Sequence, residues 1–378
     1  MTRARLCYVV ASEMTVKAFL AAHIREAAER YDVAVVANAA PGSLAGLPAR
    51  LIPVPITRPI APWADLAALA RLYGVFRRER FDLVHSVTPK AGLLSALAGA
   101  AAGVPVRLHT FTGQVWATRT GAYRALLRAL DRLTASLDTA VLADSASQRD
   151  FLVAEGVVGV AKAGVLGHGS MNGVDAERFR PDAEARAAVR AEAAVPAGET
   201  LFLYLGRLTR DKGLLDLARA FASLDAGWLL LVGPDEEGLA VEIRAACGAS
   251  AARLRILGAT AQPERFMAAA DVFVLPSHRE GFGTVILEAA ACGVPSVATR
   301  IYGLVDAVVD GETGALVPVG DAGALAAGMR RLGEDSARRA AMGAAARARA
   351  LRDFRAADLT RALLAYYEER LSRSGERG

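Results

Sequence analysis

Short β-branched runs, each followed by an Ala-, Leu- and Arg-rich stretch of helical period, alternate along almost the whole chain, and the scheme restarts near its middle. Such alternation builds βαβ units, and βαβ units build parallel sheets. In the first half, strands are predicted over 6–11, 33–37, 51–54, 83–86, 106–110 and 139–143. Helices are predicted over 15–30, 64–80, 89–102 and 123–138. The second half repeats the plan with strands over 201–205, 228–232, 254–257, 272–275 and 296–299. Between the halves, 175–200 reads as a connector carrying Pro181 and Pro196, with the hinge near 172–175. After about Asp335 the chain reads as helical to its end, with Tyr366 and Tyr367 adding bulk to the last helix. The 378 residues, 53% of them apolar, suffice for two cores. The expected fold class is α/β: one Rossmann-like domain over 1–172, a second over 173–354, and a last helix over about 355–378 that packs back on the first. Loops at the carboxyl ends of the strands would then face a ligand crevice.

Charge and cysteine usage narrow the setting. The net charge of +5 does not single out nucleic acid, and it suits anionic substrates or an acidic membrane face. Cys7, Cys247 and Cys292 are odd in number, widely spaced and without a C-x-x-C, which argues against a disulfide framework or a zinc knuckle. The opening MTRARLCYVVASEMT reads as a first buried strand rather than a signal peptide. The longest uncharged stretch, 91–106, is broken by Gly92, Gly99, Gly103 and Pro105 and falls short of the ~20 residues a spanning helix needs. A cytoplasmic protein is expected.

Two stretches carry chemistry. The first is PSHREGFGTVILEAAACGVP, from Pro276 to Pro295, which follows the apolar strand VFVL. Gly281 and Gly283 allow a tight turn and close approach to a ligand. The helix predicted from Thr284 offers free N–H groups and a partial positive charge that suit a diphosphate. Glu280 lies just before the turn. Glu288 lies inside the helix, roughly 7 Å farther along its axis. One carboxylate can meet a sugar and the other a ribose, with phosphates between. The second stretch is LYLGRLTRDKGL, from Leu203 to Leu214. Its strand ends at Gly206, and Arg207 and Lys212 follow in the loop, placed to hold a leaving diphosphate, Arg bidentately and Lys as a point charge. Each stretch alone also suits a solvated loop or helix face. Asp235-Glu236-Glu237 reads as a solvated helix start. No Asp-x-Asp occurs, nor a full G-x-G-x-x-G or G-x-x-x-x-G-K.

Together these stretches resemble the retaining GT-B glycosyltransferases, specifically glycosyltransferase family 4. That family carries two Glu residues separated by seven, here Glu280 and Glu288. It also carries a G-R-x-x-x-x-K-G loop, here Gly206, Arg207, Lys212 and Gly213. MNGVDAERF (171–179) is similar to its interdomain element, and GLVDAVVDGETGALVP also matches its habit. The resemblance is specific over roughly 165–325. It implies two domains facing an interdomain cleft. It also implies catalytic roles for Glu280, Arg207 and Lys212, the two cations on the donor diphosphate and Glu280 near the donor sugar's 3-hydroxyl. Glu288 would take the ribose. Amides of Phe282, Gly283 and Thr284 would cover the phosphates beside Gly206, and the base would lie against Leu257 and Gly258. Family enzymes retain anomeric configuration, and a nucleotide-sugar is the expected co-substrate, with no cofactor; the absence of Asp-x-Asp argues against a metal-clamped diphosphate, so no metal is expected.

In the first half, 85–106, 109–121 and 166–175 look like bacterial members that extend lipid-diphosphate-linked sugars, commonly with UDP-linked N-acetylhexosamines. The expected partners are a nucleotide-sugar donor, a lipid-linked or glycan acceptor and the inner-leaflet surface, but not nucleic acid. Lys90, at a helix start, can meet an acceptor diphosphate. Gln114, at a strand end, can bond a sugar hydroxyl. His168, in a Gly-flanked turn near the hinge, suits ligand contact, whereas His109 suits a satisfied strand position and His85 is undecided. Trp63, Trp116, Tyr123, Leu126, Leu127 and Leu130 lie among many arginines, as at a headgroup interface. Two departures stand out. Thr112 occupies the position where many members carry the His of T-x-H-G, and Ala11–Thr15 reads ASEMT where a Gly-Gly turn is common. A sugar-nucleotide epimerase on the same plan and a non-catalytic sugar-nucleotide-binding subunit are the rival readings.

Overall fold

The computed structural model describes residues 3–57 and 59–375. Residues 1–2 of the expected first domain and 376–378 of the expected last helix lie outside the described residues. The chain divides into two compact units, one running up to Asn172 and resuming at Ala356, the other spanning Gly173–Arg355.

The first unit is built on seven strands: β1 (Arg5–Val9), β2 (Asp32–Ala37), β3 (Arg50–Pro53), β4 (Leu83–Val87), β5 (Val106–Phe111), β6 (Ala140–Ala143) and β7 (Ala163–Val165). They lie in the order β3-β2-β1-β4-β5-β6-β7, and every pairing is parallel. Successive side chains of β1 serve opposite faces. Leu6 and Tyr8 pack toward Leu363, Leu364 and Tyr367 of the last helix, Ala356–Gly375. Cys7 and Val9 pack toward Leu72 and Phe76 of helix Pro62–Glu79. Polar pins join the last helix to the sheet, through His85 of β4, and to helix Ala21–Arg30, through His23. His85 bonds the Tyr367 hydroxyl and Thr110 Oγ1, and His23 bonds Thr360 Oγ1 and the Met171 carbonyl at 2.8 Å each. Burial pushes the pKa of His85 down to about 3, so the ring is neutral. His109 is likewise buried and meets Ser86 Oγ at 2.9 Å, which makes both rings structural.

The second unit carries six parallel strands: β8 (Leu201–Leu205), β9 (Trp228–Val232), β10 (Leu254–Leu257), β11 (Val272–Leu275), β12 (Ser296–Thr299) and β13 (Gly314–Val317). Their order is β10-β9-β8-β11-β12-β13. One continuous core covers the sheet, and the connector helix Ala183–Glu192 contributes Val189 to it. A parallel bridge pairs Val174 with Arg355, the two points where this unit begins and ends. Edge strands β7 and β13 are absent from the sequence-based assignment. Each is short and half-buried and lacks the sustained β-branched run that marks the inner strands.

Candidate active site in the second unit

In the second sheet the strand order reverses between β8 and β11. Loops diverge at such a point and leave a crevice at the carboxyl ends of the strands. The two chemistry-bearing stretches are the loops that leave these two strands, 206–213 after β8 and 276–283 after β11.

The loops are stapled together. Gly213 has φ +68°, and a Cβ there would fall 2.1 Å from the Pro276 carbonyl oxygen, so the contact requires glycine. His278 N–H donates to the Asp211 carbonyl at 2.9 Å, and its ring meets Asp216 at 2.8 Å. The Arg279 guanidinium pairs with Asp211 at 2.7 Å. Burial works against the Asp211 carboxylate, but the Thr209 hydroxyl and the surrounding Arg and Lys charges outweigh it and hold its pKa below the ordinary value. The clamp closes on Lys212 Nζ, which lies 2.6 Å from Glu280 Oε1, with both side chains only about 15% exposed. Ser277, fully buried, donates its hydroxyl to the same carboxylate oxygen at 2.8 Å. An acid and a base expected to share one ligand are therefore in contact.

Arg207 enters from the other side of the loop. Tyr204 anchors its backbone by donating to the Arg207 carbonyl at 2.7 Å, and the guanidinium Nη1 meets Glu236 at 2.8 Å. Burial opposes the charge, but Glu236 and Asp211 keep the Arg207 pKa above its ordinary value. Gly206, where β8 ends, donates to the Val232 carbonyl at 2.9 Å.

Helix Thr284–Ala291 starts directly behind this cluster, with Gly283 as its cap residue at φ +79°. A Cβ on Gly283 would fall 2.5 Å from Leu304, so the packed turn also excludes larger residues. Phe282 is buried against Phe354 at 5.3 Å between ring centroids. Among the described residues, the N–H groups of Phe282 and Gly283 meet no acceptor. Glu288 stands one turn into the helix, half-buried, and its carboxylate makes no hydrogen bond or ion pair among the described residues. Burial raises its pKa to about 7, partly offset by Arg178. Leu257, at the end of β10, is 37% exposed.

The acceptor-side candidates of the first unit fare differently. Gln114 is buried, its side chain donating to the Thr112 carbonyl at 2.7 Å and accepting from Gln148 at 3.2 Å, which holds the loop after β5. Lys90 is half-buried, pairs with Asp65 at 2.7 Å and donates to the Pro59 carbonyl, which ties the starts of helices Pro62–Glu79 and Pro89–Ala102 together. Its charge is committed inside the unit. His168 is exposed in the turn after β7. Trp116 is a correction. It is buried, stacked on Phe151 at 5.2 Å and donating to Asp131 at 2.7 Å, so it forms no part of an exposed face.

Glu236, read from sequence as part of a solvated helix start, instead meets Arg207. Residues that sequence reading passed over include Ser277, Asp211 and Asp216. All are acids or hydroxyls that hold the named residues from behind. Their only sequence signal is proximity to a motif residue.

Comparison with known proteins decides the family. Residues 185–349 match the family described as glycosyl transferases group 1, and residues 16–166 match the glycosyl transferase 4-like domain. The capsular polysaccharide biosynthesis glycosyltransferase CapM of Staphylococcus aureus is 31% identical over 296 residues, covering 77% of each chain. The chain is a group 1 glycosyltransferase. A UDP-Gal:alpha-D-GlcNAc-diphosphoundecaprenol alpha-1,3-galactosyltransferase of Escherichia coli is 28% identical to it over 66% of this glycosyltransferase and 65% of the relative. Among solved structures, HepE from Anabaena in complex with UDP and glucose superposes with a TM-score of 0.81 at 20% identity, covering 97% of this chain and all of the other. Sucrose-phosphate synthase from Thermosynechococcus elongatus gives 0.81 at 24% identity over 98% of this chain and 100% of that one. The fold is GT-B, with two Rossmann-like domains.

Proposed function

We propose that this glycosyltransferase moves a hexosyl or N-acetylhexosaminyl group from a UDP-linked donor to a lipid-linked or glycan acceptor in cell-surface polysaccharide synthesis, with retention at the anomeric carbon and without a metal ion. The observation that carries the reading is the contact of Lys212 with Glu280 beside the start of helix Thr284–Ala291, at the strand-order reversal. Arg207, Lys212 and the amides of Phe282, Gly283 and Thr284 take the donor diphosphate beside Gly206. Glu288 accepts from the ribose hydroxyls, Glu280 holds the donor sugar near its 3-hydroxyl, and the base lies against Leu257 and Gly258. As the bond from the anomeric carbon to the diphosphate breaks, negative charge gathers on the departing phosphate. Fixed cations and the helix end stabilise that charge without reorganising. The acceptor oxygen bonds on the same face, and its proton passes to the leaving phosphate, so no separate base is needed. The names of the capsular and diphosphoundecaprenol-directed relatives support the acceptor class. His168 is the acceptor-side candidate that the geometry leaves exposed to solvent.

The decisive experiment is a screen of UDP- and GDP-sugars for protection against thermal unfolding, followed by assignment of the product's anomeric configuration by NMR. Protection by UDP-sugars and a retained configuration are expected. An inverted product, or an epimerised nucleotide-sugar with no glycoside, would overturn the reading. Transfer is expected to continue in excess EDTA. Loss reversed only by a divalent ion would contradict the metal-free mechanism.

A lipid-linked acceptor requires access to the membrane surface. Among the described residues no helix is long and apolar enough to cross a bilayer. Helix Pro62–Glu79 exposes Trp63, Leu66 and Tyr73, and helix Gly121–Leu137 exposes Tyr123, Leu126 and Leu133. Leu127 and Leu130 are half-buried. Arg124 and Arg128 are both held by Glu155 at 2.6 and 2.9 Å, while Arg71, Arg77, Arg119 and Arg132 lie exposed. Aromatic and aliphatic groups among arginines suit an anionic headgroup layer. The protein is expected to sediment with anionic vesicles at low ionic strength and to be released by salt, because exposed charges are screened within a Debye length. Absence of binding at low salt would remove this membrane role.

A further inference from the structure

The acidic triplet Asp235-Glu236-Glu237 follows β9, and its sequence suggests three solvated charges. In the structure each carboxylate has a separate task. Asp235 accepts the N–H groups of Leu239 and Ala240 at 2.8 and 3.0 Å and folds the loop onto the next helix. Glu237 accepts the N–H of Arg210 at 3.0 Å. Glu236 reaches the Arg207 guanidinium at 2.8 Å. Beyond the end of the sheet, Leu208 N–H donates to the Pro234 carbonyl at 2.8 Å, and Leu208 and Asp235 form a parallel bridge. The loop after β9 is therefore laced along one side of the loop bearing Arg207 and Lys212, while the loop after β11 is laced along the other.

We propose that Glu236 is a positioning residue for Arg207, holding one corner of the guanidinium so that its other edge is presented to the donor diphosphate. This rests on the reading that Arg207 grips that diphosphate. The contact is single: Nη1 alone is engaged among the described residues, and Nε and Nη2 make no hydrogen bond. Those two nitrogens form one of the guanidinium edges that matches two phosphate oxygens. A free arginine samples many rotamers, and ordering it beforehand removes that loss from the binding step. Both side chains are about a third exposed, at 36% and 33%, so the ion pair adds little to stability and its placement is the effect that a substitution removes.

The test is a double-substitution cycle read by calorimetric titration with UDP and, in parallel, GDP, the tighter of the two being used. Arg207→Ala is expected to weaken nucleotide binding about thirtyfold, as for the loss of a charge-assisted contact. Glu236→Ala is expected to weaken it about fivefold while leaving the thermal midpoint near that of the parent protein. Glu236→Gln keeps an acceptor for Nη1 and is expected to bind within about twofold of the parent. In the Arg207→Ala background, Glu236→Ala is expected to do nothing further. Unchanged or tighter binding in Glu236→Ala overturns the inference, because Glu236 is then idle or a competitor for Arg207. A Gln variant as weak as the Ala variant, or an Ala effect that persists without Arg207, also overturns it. Full binding by Arg207→Ala, or binding of neither nucleotide by the parent protein, defeats the donor-site reading and this inference together. A weakened Arg207→Ala beside an unaffected Glu236→Ala defeats the inference alone.

Discussion

Alanine at Lys212 or at Glu280 is expected to lower turnover about a hundredfold or more, and replacing both is expected to cost no more than the worse single change. The two groups touch at 2.6 Å, and Ser277 holds the Glu280 side of the pair, so each fixes the other's position. In the proposed mechanism, removing Lys212 takes away a cation aimed at the charge that develops on the leaving phosphate. It also leaves Glu280 as an uncompensated, largely buried carboxylate. Removing Glu280 frees Lys212 from its place and, in the proposed mechanism, strips the donor sugar of its partner. Groups that act as one unit do not add when removed separately. Stability should follow the opposite pattern to activity. Each single variant strands a charge and lowers the thermal midpoint, whereas the double variant, with both charges gone, recovers part of it. Steady-state kinetics and thermal melts on the three variants check both halves. Full turnover in either single variant would count against the assigned site.

Glutamine at position 288 is expected to strengthen the fold above neutral pH and to weaken the nucleotide site. Burial raises the Glu288 pKa from 4.5 to about 7. The folded protein therefore keeps this proton over a range where the unfolded chain has lost it. Stability falls as pH rises from the lower value through the upper one, and the full cost of the ionised form is present above neutrality. Glutamine carries no such cost, so the variant should gain on the order of 1–3 kcal/mol at pH 8 and nothing at pH 4. In the proposed donor site the ionised carboxylate is the form that would accept hydrogen bonds from two ribose hydroxyls. Nucleotide affinity of the parent protein should accordingly weaken as pH drops below about 7, and the glutamine variant should bind about tenfold less tightly at pH 8 with little of that pH dependence. Melts and UDP titrations across this range measure the two effects independently. A glutamine variant less stable at pH 8 than the parent would show that Glu288 has a structural partner instead.

Much of the fold was legible because inner parallel strands are apolar throughout and their helices keep a 3.6 period. The assigned starts and ends of β2, β8, β9, β10, β11 and β12 fall on or within one residue of the observed ones. Of the four edge strands, β3 and β10 keep enough apolar residues to be read, whereas β7 and β13 escaped because a strand with a single neighbour is half-exposed and needs no apolar run. Within the candidate site, residue types and spacing marked Glu280, Glu288, Arg207 and Lys212, since a strand end, a turn and a helix start are local features. The separation of 68 positions between Lys212 and Glu280 hides their contact, because periodicity does not say that β8 lies beside β11. The bonds of Gln114 within its own unit were hidden for a related reason. A polar residue at a strand end gives no sign of its partner, here Gln148 on another helix. Trp116 followed the same course, taken by Asp131 and Phe151.

The return of the last helix to the first sheet sets an order of assembly. During synthesis the second unit can complete its core before Ala356 emerges from the ribosome. The first sheet meanwhile waits with Leu6, Tyr8 and His85 uncovered on one side. A fragment ending at Asn172 would carry that bare face permanently, and it should be sticky and poorly soluble unless Ala356–Gly375 is supplied as a separate peptide.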